Sequence, residues 1–128
     1  MVTDVDKGIA ITVKANYRAE HSKPEFGYFF FAYEITIHNT NNFPVQLLSR
    51  HWIIKDSNSP TKEVKGDGVV GIQPILGSGQ IHRYESACQL LSELGSMSGQ
   101  YLFQNTVTGE QFDVRIPGFN LEVNYKLN

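Results

Sequence analysis

VKGDGVVGIQPILGSGQ, residues Val64–Gln80, sets Gly66, Gly68 and Gly71 in the spacing G-x-G-x-x-G. That spacing is the fingerprint of dinucleotide-binding loops, so its reading decides between a parallel α/β sheet and other folds. The fingerprint works only where a buried strand leads into it and a helix follows, because the helix N-terminus holds the pyrophosphate. Here Gly71 is followed by IQPILGSGQ, and Pro74, Gly77 and Gly79 within nine residues forbid a stable helix. The phosphate loop of ATPases fails as well. Gly66 and Gly71 fit G-x-x-x-x-G, but Ile72 and Gln73 stand where Lys and Ser or Thr are required. The stretch is read as an irregular connection.

Outward from this loop the chain alternates. Ile9, Ile11, Val13, Ala15 and Tyr17 share one parity, with Thr12, Lys14, Asn16 and Arg18 on the other, which is the period of a half-buried strand. In FGYFFFAYEITIHN, Phe29, Phe31, Tyr33, Ile35 and Ile37 form one face, and the β-branched and aromatic content favours a second long strand. VQLLSRHWIIKD (Val45–Asp56) is a third, but Leu47 and Ile53 oppose Leu48, Trp52 and Ile54 in parity, a conflict that a bulge resolves. SNSPT is expected to end it and KEVKG to form a short edge strand. QIHRYES is a strand, QLLSEL one helical turn, and GQYLFQNTVTGEQFDVRIPGF a hairpin turning near Thr108-Gly109. NLEVNYKL alternates again through Leu121, Val123, Tyr125 and Leu127. Seven to eight strands with no convincing helix predict an all-β antiparallel sandwich, of the immunoglobulin/fibronectin type III-like kind. In that frame Trp52 is the central aromatic, Phe103 fills a core place, and Tyr101 is expected to tie back to a corner of the chain.

Bulk properties bound the rest. A chain of 128 residues is read as a single domain over 1–128, with residues 1–7 as a flexible N-terminus. Net charge is −2 with no run of either sign, which argues against a nucleic-acid surface. Cys88 is the only cysteine, so no internal disulfide forms. No signal-like N-terminus or membrane-length apolar run occurs, and a cytoplasmic protein is expected.

No chemistry emerges from the spacing of reactive residues. His21, His38, His51 and His82 form no His-x-His or His-x-x-x-His pair, and Glu34 and His38 share a face but lie roughly 13 Å apart along a strand. No metal site, catalytic residue or cofactor is assigned, and an enzyme is not expected. Two binding sites are. The glycine loop is either a structural turn or a nest of backbone N–H groups holding phosphate, pyrophosphate or a nucleotide, with Lys65, Gly66, Gly68, Gly71 and Arg83 as its residues. Tyr28 and Phe30, on the outward face of the second strand, are either covered by HSKPEFG or form a contact for a protein partner.

Taken together, GDGVVGIQPILGSGQ, YES, GSMSGQYLF, IPGFNL and the His51-Trp52 pair resemble the ApaG family over nearly the whole chain. Asp67 stands where Glu is usual, and RYESACQLL departs from the commoner run around Cys88. The resemblance implies a fibronectin type III-like sandwich in a small bacterial cytoplasmic protein. It also implies an association with cobalt resistance and magnesium efflux, and kinship with interaction domains of eukaryotic F-box proteins and a DNA polymerase-delta-interacting protein. It carries over no catalytic residue. The expected function is a non-enzymatic interaction module, with small-anion binding as the alternative.

Overall fold

In the computed structural model, which describes residues 1–123, the alternating runs become strands of two antiparallel sheets. Among the described residues the strands are β1 (Val2–Asp6), β2 (Ile9–Tyr17), β3 (Phe29–Asn39), β4 (Val45–Asp56), β5 (Ser59–Asp67), β6 (Ile75–Leu76), β7 (Ile81–Leu90), β8 (Leu94–Asn105) and β9 (Gln111–Glu122). One sheet runs β1-β2-β3-β7 and the other β5-β4-β8-β9, with β6 beside β4. No α-helix occurs among the described residues, only short 3-10 turns at Ala19–His21 and Pro24–Phe26. The all-β sandwich is the architecture that alternation predicted.

The core is the sum of the inward parities. Ile9, Ile11 and Val13 of β2 and Phe31, Tyr33, Ile35 and Ile37 of β3 are buried, with Ile11 opposite Ile37 and Val13 opposite Ile35. Each such side chain contributes about 1.5–3 kcal/mol on burial. From the facing sheet Trp52 meets Tyr33, Tyr101 and Phe119 edge-on, with ring centroids 5.7, 6.4 and 6.0 Å away. Phe103 is buried beside Tyr101, as expected of a core position.

Two parity conflicts are resolved by bulges. Leu47 pairs with Phe103 and Ser49 with Leu102, so Leu48 is the extra residue that turns Val45 and Leu47 inward before it and Trp52 inward after it. In β9, Val114 and Ile116 are buried on one parity and Phe119 and Leu121 on the other. The switch falls at Pro117-Gly118, where the register with β8 shifts. The hairpin strand and the opening Asn120–Glu122 of NLEVNYKL are therefore one bent strand; Tyr125 and Leu127 lie outside the described residues.

Four expectations are corrected. The segment read as a flexible N-terminus holds β1, paired with β2 from Val2 opposite Val13 to Asp6 opposite Ile9. The edge strand is nine residues long rather than the short KEVKG piece; only Ser57-Asn58 turn the chain, and Pro60 is tolerated because β5 is an edge. QLLSEL forms no helical turn. Gln89 and Leu90 finish β7, Leu94 opens β8, and the Asp56 carboxylate takes the Leu91 N–H at 2.6 Å and the Ser92 hydroxyl at 2.6 Å, fixing a tight bend. Finally, Tyr101 makes no corner. Its hydroxyl is buried in the core and hydrogen-bonds the hydroxyl of Tyr84.

Candidate functional site

The sheets close along one long edge and part along the other. Between β5 and β7 lies an open cleft of about 510 Å³, a volume in the range of ligand sites. Its floor is the inward face of β4 and β5: Arg50, Trp52 and Ile54, then Lys62 and Val64. Its wall is β7. Every residue from Tyr84 to Leu90 lines the cleft, although only Tyr84, Ser86, Cys88 and Leu90 have the inward parity. Contributions from both parities mean that the backbone edge of β7 itself faces the opening. Among the described residues no other strand pairs with that edge.

The glycine loop forms one end of the cleft. Val69 and Ile72 exchange backbone hydrogen bonds of 2.8 and 3.1 Å, making a two-residue turn in which Val70 and Gly71 have φ of 46° and 80°. Gly68, at φ 61°, donates its N–H to the Leu48 carbonyl at 2.9 Å. The N–H groups of Gly68, Val69 and Ile72 are thus engaged by carbonyls. Val69 is wholly buried, whereas Val70 projects beside the cleft and is 63% exposed. Arg50 props the loop from below: its Nη1 donates to the carbonyls of Asp67 and Gly68, each at 2.9 Å. The guanidinium occupies the space where a side chain at Gly66 would stand. The remaining donors of Arg50 have no hydrogen-bond partner among the described residues.

The expected site residues are not gathered in one place. Lys65 and Gly66 lie on β5, Gly68 and Gly71 in the loop, and Arg83, across the cleft in the sheet of β7, has the exposed outer parity and pairs with Thr36 of β3. Tyr28 and Phe30 are half-buried. The His21 ring meets Phe30 edge-on at 5.5 Å, the Ser22 hydroxyl oxygen accepts the Phe30 N–H at 2.9 Å, and Lys23 and Tyr28 exchange backbone hydrogen bonds. Residues 18–23 therefore fold over this pair, while Phe26, at 79% exposure, is the aromatic that solvent reaches.

Burial sets the titration of the groups within the cleft. Burial pushes the Cys88 thiol up to about 11, against the attraction of the Lys62 charge, so the sulfur stays protonated at neutral pH. Burial likewise raises the phenols of Tyr33, Tyr84 and Tyr101. Burial alone would raise Asp56; hydrogen bonds from Leu91, Ser92 and Asn58 more than offset it and hold the carboxyl below its ordinary range. Asp56 is thereby committed to the bend. Among the described residues no three His, Cys, Asp or Glu side chains converge as a metal would require, and no helix is long and apolar enough to cross a membrane.

Two antiparallel sheets packed face to face, with a cleft at one open edge, define the class as an all-β sandwich domain. Comparison with known proteins narrows the class. Residues 19–105 match the ApaG domain model. The ApaG protein of Bdellovibrio bacteriovorus is 50% identical over 111 residues, 87% of each chain, and that of Azotobacter vinelandii 44% over 115 residues, 90% of each. A crystal structure from Bordetella pertussis, described as an ApaA protein, superposes with a TM-score of 0.87 at 37% identity over 96% of each chain. The chain belongs to the ApaG family.

Proposed function

We propose that this protein is a non-enzymatic recognition module that takes up an extended segment of a protein partner along the β7 edge. One observation carries the reading: an unpaired strand edge lines a cleft of ligand size with seven consecutive residues. Strand addition to such an edge supplies backbone hydrogen bonds for affinity and alternate side-chain pockets for specificity. The two free edges also differ in their guarding. β5 carries Pro60, Lys62, Glu63 and Lys65, the residue types that discourage stray pairing, whereas Ser86–Gln89 of β7 is uncharged. The efflux association that the resemblance implies would then act through contact with another protein.

The cleft reading is separable from the contact expected at Tyr28 and Phe30. Val64→Asp places a charge at the cleft, and Phe30→Ser removes the aromatic under His21. Affinity capture from the native host with the wild type and both variants compares them. A partner lost with Val64→Asp and kept with Phe30→Ser supports the cleft; the reverse pattern moves the contact to the aromatic pair and overturns it. Small-anion binding at the glycine loop has less support, since three of its amides are already engaged. Titration with pyrophosphate and ATP, read from amide shifts between Lys62 and Arg83, tests it directly.

A further inference from the structure

The geometry points to an acidic partner segment: a peptide strand beside β7 that directs an Asp or Glu side chain at Lys62 and, two residues away, an apolar side chain at Val64, on the side of Val70 and the glycine loop. This rests on the strand-addition reading and adds the chemistry of the partner. A strand lying along β7 sends alternate side chains into the cleft, spaced by roughly 7 Å. The floor carries a positive charge on either side of Val64: Lys62, opposite Ile54, lies toward the Asp56 end and acts across the cleft on Cys88, and Arg50 lies under the glycine loop with donors left over. The acids nearby do not cancel that charge. Asp56 is held by Leu91, Ser92 and Asn58, and Glu85 has outward parity and pairs with Arg18 at 4.0 Å.

The apolar anchor is argued from strain. Val70 is β-branched, yet it adopts a left-handed conformation at φ 46°, a placement that costs energy and concentrates at functional positions. Its effect here is to hold an apolar side chain in solvent at the cleft, with Val64, at 40% exposure, on the floor. Both lack apolar cover that an entering side chain would supply. A second copy of this chain fits less well, because Ser86–Gln89, the stretch its own β7 edge would bring, carries no acid.

Selection of random 12-residue peptides on the intact, immobilised protein tests this. The expected peptides carry Asp or Glu two positions from Val, Ile or Leu, and they protect the amides of Tyr84–Leu90 from hydrogen exchange. In a synthetic fluorescein-labelled peptide from that selection, changing the acid to Gln raises Kd about tenfold, as does Lys62→Glu in the protein. Lys62→Glu combined with a Lys in place of the peptide acid restores binding, an outcome that general destabilisation does not produce. Peptides that protect β7 but show no preference for an acid overturn this inference and leave strand addition standing. Binding without β7 protection, or no enrichment at all, overturns both.

Discussion

Along β1 and β9 the sheets are stitched together: Arg115 donates its backbone N–H to Asp6 at 2.9 Å and its Nε to Asp4 at 2.8 Å, and the Lys7 ammonium reaches the Asp113 carbonyl. Along β5 and β7 the same two sheets separate around the cleft: at one end Asp56 of β4 holds the Leu91–Glu93 bend after β7, and at the other Arg50 holds the glycine loop against its own sheet. The sheets between are continuous, so the difference is not one of core quality. It lies in where polar groups are placed. At the closed edge they join one sheet to the other. At the open edge they brace the two ends of the gap and leave a strand unpaired between them. A fold with one sealed and one braced edge can offer a backbone ladder to a partner without exposing its core.

The brace is where the comparison breaks most readily. A Cβ on Gly68 would sit 2.1 Å from the Ile72 carbonyl oxygen, and the residue already has φ 61°. Gly68→Ala must therefore open the turn that caps the cleft, and a loss of about 3 kcal/mol or more is expected in urea unfolding. Gly71 has a similar φ of 80° but nothing within 4 Å of the added carbon. Gly71→Ala then carries only the conformational cost, about 1–2 kcal/mol. Equal losses for the two would show that close packing at Gly68 does not hold the open edge.

A smaller effect is expected where the cleft wall meets the core. Tyr84→Phe leaves the fully buried Tyr101 hydroxyl without its partner, at a cost of about 1–3 kcal/mol. Tyr101→Phe removes the same bond from the other side. The double variant Tyr84→Phe/Tyr101→Phe replaces both polar groups and is expected to be more stable than the sum of the single losses predicts. Strict additivity in unfolding measurements would refute the pairing.

The sealed and braced edges were unequally legible in the sequence. β2 and β3 were plain because each buries a single face, so Ile9–Val13 and Phe29–Ile37 repeat every second residue. The β4 bulge was legible because Leu47 and Trp52 cannot both point inward without it. β9 hid its own bulge, since Pro117-Gly118 resembles a strand end as much as a kink within one. β1 was missed for a different reason: Asp4 and Asp6 read as part of a flexible N-terminus until Arg115, more than a hundred positions away, comes alongside. The cleft was missed for the same reason. Arg50, Lys62, Val70 and Cys88 follow no local spacing, and only the parting of two sheet edges brings them together.

The smallest effect belongs to the sealed edge and appears in acid. The Arg115 hydrogen bond holds the Asp4 carboxyl below its ordinary range. A depressed folded value means that the contribution is complete above the unfolded value, near pH 4, and is lost as pH falls through the folded one. The amides of β1 should therefore lose hydrogen-exchange protection below about pH 4. Asp56 is depressed as well, so the Leu91 amide at the braced edge should weaken in acid too. Asp4→Asn separates the two: it should flatten the pH dependence of the β1 amides while leaving that of Leu91 intact. If the β1 amides of Asp4→Asn still lose protection in acid as the wild type does, the ion pair is not what seals that edge, and backbone pairing of β1 with β2 carries it instead.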